Sequence, residues 1–98
     1  MPKFEWDENK NSRNKEKHGI SFEDASDLFN DEDRLVSASN RGGEKRFLTI
    51  GKAFLVILSL VYTIRGTVIR IISARRASKR ERNAYLTRKL KKSQDHEK

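Results

Sequence analysis

Apolar residues change their spacing three times along this chain. Between Trp6 and Ile20 no large apolar side chain occurs at all. Phe22, Ala25, Ser26 and Phe29 then recur at helical intervals, and from Leu35 onward the pattern becomes extended. Each regime predicts a different element. Asp7 has the type and place of an N-cap and Gly19 supplies a stop, so a first helix is expected from Glu8 to about His18, polar on every face. Lys3 to Trp6 alternates weakly, as a short strand would. Ser21, with Asp24 as an imperfect capping box, opens a second helix that carries the apolar stripe and ends in the acidic turn "NDEDR".

The extended half divides at its turn residues. "RLVSAS", "KRFLTI", "AFLVILSLVYT" and "TVIRIISARR" read as four strands, joined by the "NRGGE" loop, a tight turn at Gly51 and Lys52, and a reversal at Arg65 and Gly66. Short reversals join antiparallel neighbours, so a four-stranded meander follows. The third strand is apolar on both alternating faces and belongs mid-sheet with cover above and below. Ser78 and Glu81 form a capping box that opens a basic helix from Lys79 to about Lys92. The expected architecture is α+β: two N-terminal helices, an antiparallel four-stranded meander sheet and a C-terminal basic helix. Residues 1–92 make one domain and 93–98 a flexible tail.

Composition narrows the class. Hydrophobic residues are 35% of the 98 and charged residues 37%, so the fold is expected to be marginal alone and to lean on a partner. Cysteine is absent, which excludes a disulfide scaffold, a thiol nucleophile and cysteine-ligated zinc, and fits the cytoplasm. "AFLVILSLVY" is about half the length of a membrane-spanning helix, so no membrane partner is expected. Charge is placed unevenly: residues 1–60 carry 10 basic against 11 acidic side chains, whereas residues 61–98 carry 12 against 3. The cationic end suits a polyanion, with nucleic acid first and an acidic protein segment as its competitor.

No HExxH, phosphate-binding glycine loop or grouped carboxylate set is present, so neither a metal nor another cofactor is expected. One reaction needs only what this chain has in excess. RNA cleaved by its own 2′-OH requires a base, cationic donors on the phosphate and an acid for the leaving oxygen. Candidates for that chemistry are His18, Arg46, Arg65, Arg75, Glu81, Arg82 and Tyr85, with Lys15, Lys17, Arg70, Arg76 and Lys89 binding the strand. Structural readings compete with these. Arg70, in mid-strand, either pairs with a carboxylate such as Glu44 or faces a cleft. Arg75 and Arg76 end the strand on opposite faces and suit a phosphate or a protein partner. Glu81 already has work as the capping-box carboxylate, and Tyr85 either packs its ring on the sheet or stacks a base. Arg80, Arg88, Lys91 and Lys92 read as a solvated or partner-facing surface. Asn11, Asn14, Lys15 and His18 share one side of the first helix, either as a solvated face or in contact with a ligand.

Two stretches resemble a known family. "FEWDENKNSRNKEKHGISFEDA" is similar to the N-terminal signature of the BrnT toxins, through Phe4, Trp6, Asp7, Lys10, Asn14, Lys17, His18, Gly19, Ser21, Phe22 and Glu23. "VYTIRG" and "IRIISARRASKRERNAYL" resemble the C-terminal signature, while "NDEDRLVSASNRGGEK" is a variable middle in which Glu44 and Arg46 match loosely. The resemblance implies a RelE-like fold and a type II toxin that cleaves RNA and arrests translation. Its implied partner is a BrnA-like ribbon-helix-helix antitoxin, in an assembly of two toxins with an antitoxin dimer that touches promoter DNA only through the antitoxin. On that view the polar first helix persists because it meets RNA or antitoxin. The alternatives are a noncatalytic RNA- or ribosome-binding module and an antitoxin-bound corepressor.

Overall fold

The computed structural model describes residues 2–96. In chain order it comprises β1 (Lys3–Glu5), α1 (Glu8–His18), α2 (Phe22–Ala25), a 3-10 turn (Ser26–Asn30), β2 (Leu35–Arg41), β3 (Glu44–Ala53), β4 (Val56–Arg65), β5 (Val68–Arg76) and α3 (Lys79–His96). The meander β2-β3-β4-β5 is antiparallel as expected, but the sheet has five strands, not four. β1 joins it at the far side, parallel to β5, giving the order β1-β5-β4-β3-β2. The sheet is therefore mixed. The second helix is also shorter than its apolar stripe suggested, tightening after Ala25 into the 3-10 turn. α3 runs to His96 instead of stopping near Lys92; the remainder of the expected flexible tail, residues 97–98, lies outside the described residues.

One face of the sheet holds the main core. Phe22, Ala25 and Leu28 descend from α2 and the 3-10 turn onto Leu58, Leu60, Tyr62, Ile71 and Ala74, all buried. Aromatic rings extend this core: Phe29 meets Phe4 and Tyr62 with centroids 5.2 and 5.1 Å apart, and Tyr62 stacks on Phe47 at 5.2 Å. Gly51, expected in a turn, lies within β3 opposite Leu58. A Cβ there would lie 3.0 Å from the Cβ of Arg34, a tight contact, so glycine suits the close approach of the segment after the 3-10 turn and not a chain reversal. The strand continues to Ala53, and the reversal falls on Phe54 and Leu55.

The polar helix α1 has a packing task that its sequence hid. Asp7 caps it by accepting from the amides of Asn9 and Lys10 at 2.8 and 3.2 Å, and Gly19 ends it at φ 72°. Asn14 is buried, accepts from the Ala74 amide at 3.1 Å and donates to the Ile20 carbonyl at 3.0 Å. Asn11 likewise accepts from the Phe22 amide at 2.8 Å and donates to Glu23 at 2.6 Å. β1 pairs only with Val68 to Arg70, so α1 closes the edge of β5 beyond it. The explanation of α1 by ligand contact alone is corrected on this point.

On the opposite face α3 covers only one end. Tyr85 is 1% exposed and packs with Ile50, Ala77, Leu35 and Ile57. The rest of that face, toward the β2–β3 hairpin, is open.

Candidate nucleic-acid interface

The junction of β5 and α3 is fixed by hydrogen bonds at Arg75, Ala77, Ser78 and Glu81. The Ala77 amide donates to the Ile57 carbonyl at 3.0 Å, and Ser78 and Glu81 form the expected capping box at 2.8 and 3.2 Å. Glu81 does more than cap. It accepts both ends of the Arg75 guanidinium, at 2.7 and 3.1 Å, and the Ser59 hydroxyl at 3.3 Å. The Arg75 hydrogen bonds hold its carboxyl down at about 2, against the opposing effect of burial, and Glu81 in turn raises the Arg75 guanidinium above its usual range. A carboxylate that acidic stays ionised near neutrality and is a poor proton acceptor. Glu81 is thus an anchor for Arg75, and the structure gives its capping role without support for proton transfer.

Arg76 and Arg82 behave differently. Both are exposed, and among the described residues neither makes an ion pair. They line one cavity of about 310 Å³ together with Leu55, Val56, Ile57 and Ala77, and no carboxylate lines it. Arg76 also lines a second cavity of about 180 Å³, with Gly19, Ile20, Asp24 and Phe54. His18, half-buried, ends α1 immediately before Gly19, which lines that second cavity.

A third cavity, about 350 Å³, lies on the open face and is lined by Ser39, Arg41, Arg46, Leu48, Val61 and Ser73 among others. Strand register explains it. Arg46 sits opposite Ser39, while Leu48, Val61 and Ser73 form a row across β3, β4 and β5. Arg46, Ile50, Ser59 and Arg75 share this face, so Arg46 and the anchored Arg75 flank the row from opposite ends. The Nε of Arg46 is buried without a hydrogen-bond partner.

The remaining sequence candidates fall elsewhere. Arg70 is a structural ion pair, but with Glu5 and not Glu44. Glu44 instead faces Arg65 at 3.7 Å, an exposed and weak contact. Tyr85 is corrected as a stacking or proton-transfer group: its ring is buried and its hydroxyl donates to Asp31 at 2.5 Å, while burial and that bond push its pKa well up. Lys89, exposed one turn after Tyr85 on the same side of α3, lies over its ring, 6.0 Å from the centroid. Lys15 and Lys17 are exposed on α1. Sequence reasoning missed Ser59, whose only signal was a polar residue in an apolar strand, and Phe54, which was placed inside a strand.

Residues 6–81 match the family model described as the ribonuclease toxin, BrnT, of type II toxin-antitoxin systems. The chain belongs to that family. No curated protein matches it. The BrnT match contains His18, Arg46, Arg65, Arg75, Arg76 and Glu81, and stops just before Arg82. As a type II toxin it has an antitoxin protein as partner and RNA as substrate.

Proposed function

We propose that this BrnT protein cleaves RNA without a metal, along the line from the Arg46 cavity to the β5–α3 junction, and thereby arrests translation. The observation that carries this reading is the cavity in which Arg76 and Arg82 converge with no carboxylate to neutralise them, beside an Arg75 already oriented by Glu81. Guanidinium forks are suited to the phosphoryl oxygens as negative charge builds there. The 2′-oxygen of the substrate attacks the adjacent phosphorus, its proton passes to a base and the 5′-oxygen leaves with a proton, producing a 2′,3′-cyclic phosphate and a 5′-hydroxyl. With Glu81 too acidic and Tyr85 enclosed, His18 is the group left to accept the proton. Arg46 holds a neighbouring phosphate, and Lys15 and Lys17 extend the basic track. A BrnA-like antitoxin neutralises the toxin by covering these arginines, in an assembly of two toxins with an antitoxin dimer.

The test is cleavage of a single-stranded RNA by antitoxin-free protein in EDTA. Cleavage is expected to persist in the chelator, to disappear on a substrate with 2′-deoxyribose at the scissile position, and to fall at least tenfold in Arg76→Ala, Arg82→Ala, since each lost charged contact is worth about 1.5–3 kcal/mol. Cleavage that needs added divalent metal, or that survives the double substitution undiminished, sinks the reading.

A further inference from the structure

The turn between β3 and β4 breaks two ordinary rules at once. Ala53 pairs with Val56, so Phe54 and Leu55 make a two-residue reversal, and Phe54 is its first residue with φ 57°. That position favours glycine, because a side chain in the left-handed region meets its own carbonyl. Phe54 is the only non-glycine residue with positive φ among the described residues. The residues are also apolar, yet Phe54 is 68% exposed and Leu55 87%. A phenyl ring held in a strained turn and left in water contributes little to folding, and such strain is retained where something else uses the residue. Its neighbours indicate what. Phe54 lines one cavity with Arg76, and Leu55 lines another with Arg76 and Arg82, so the two tip residues border both pockets that share this unpaired guanidinium. Phe54 also lines a cavity with Lys52, Lys89, Asp27 and Asp31, and one with Glu23 and Asp27.

We propose that the Phe54–Leu55 tip is a stacking platform for an unpaired base of the RNA whose phosphates Arg76 and Arg82 hold. This rests on the RNA-cleaving reading above and specifies its substrate as single-stranded at the junction. An aromatic face beside cationic donors is the arrangement that binds single strands with little sequence preference, because every base presents a π-face and every linkage a charge. A paired base has no free face to offer and is excluded. Phe54 binds substrate here and takes no part in proton transfer.

The experiment measures binding of a 2′-O-methyl single strand, which cannot be cleaved, by fluorescence anisotropy. Phe54→Ala and Phe54→Gly are expected to weaken binding roughly five- to hundredfold, the range for one stacked base. Phe54→Trp is expected to retain binding, with the added indole quenched by the single strand and not by a duplex of the same sequence. Phe54→Gly is expected to melt no lower than the parent, because glycine relieves the positive φ, which separates lost contact from lost folding. Parental binding by Phe54→Ala alongside weakened binding by Arg76→Ala, Arg82→Ala overturns the platform and leaves the ribonuclease reading standing. If the unsubstituted protein binds no RNA at all, both fall. Loss of antitoxin binding in Phe54→Ala with RNA binding intact makes the tip a protein contact and likewise overturns the proposal.

Discussion

Helix α1 and the β3–β4 tip invert the usual relation between polarity and burial. α1 has no large apolar residue from Glu8 to His18, yet Asn11 and Asn14 are 6% and 8% exposed and supply hydrogen bonds to Phe22, Ile20 and Ala74 that nothing else provides. The tip has two apolar residues in sequence and buries neither. The difference teaches that burial follows where a group is needed to complete backbone pairing, and that exposure of an apolar side chain is informative when it also carries strain.

The strongest way to break this comparison is Asn14→Ala. It leaves the buried Ala74 amide and the part-buried Ile20 carbonyl without partners, and a loss of about 2–4 kcal/mol in urea unfolding is expected. A loss below about 0.5 kcal/mol would show that α1 is a solvated helix after all. For a domain of this size the expected loss is a large share of total stability.

Glu81 sharpens the contrast by giving a polar group that is anchored at the β5–α3 junction. Its carboxyl lies at about 2 in the folded protein against an ordinary 4.5, so the stabilisation is complete above that ordinary value and is lost as pH falls toward 2. With the Arg75 side chain 45% exposed and screened by water, about 1–2 kcal/mol is expected. Acid titration of the unfolding midpoint should therefore show a shallower decline between pH 5 and pH 2 in Glu81→Gln than in the parent; parallel curves would remove Glu81 from its place as anchor. RNA binding should weaken with it, because Arg75 loses its orientation.

Tyr85→Phe keeps the ring and removes one donor from Asp31, which still accepts from the Lys52 and Asp33 amides. A loss of about 1 kcal/mol is expected, with cleavage of RNA unchanged at fixed folded fraction. A fall in cleavage rate without loss of stability would restore Tyr85 to the reactive groups. The smallest effect, of opposite sign, is expected at the tip itself: Phe54→Gly should be neutral or stabilising by up to about 1 kcal/mol by thermal unfolding. A clear destabilisation would mean that the ring is packing, and the contrast with α1 would disappear.

Much of this could be read from the chain. Helix caps at Asp7, Ser21 and Ser78, the meander of four strands and the basic final helix are local features, written in residue types a few positions apart. The cationic end and the family signatures marked Arg75, Arg76 and Arg82 before any contact was known. Other features depend on groups far apart in sequence, and these only the tertiary structure decided. Gly51 signals a turn to any local rule, but pairing with Leu58 makes it a strand residue, and Arg34, 17 positions away, packs close against it. Arg70 has no neighbour in sequence to choose Glu5 over Glu44, and the choice came from the parallel pairing of β1. Polarity alone cannot tell a solvated asparagine from one that completes a sheet edge. The alternation of side chains along a strand determines which residues share a face, but packing decides which face is covered, and so which arginines stay free for a phosphate.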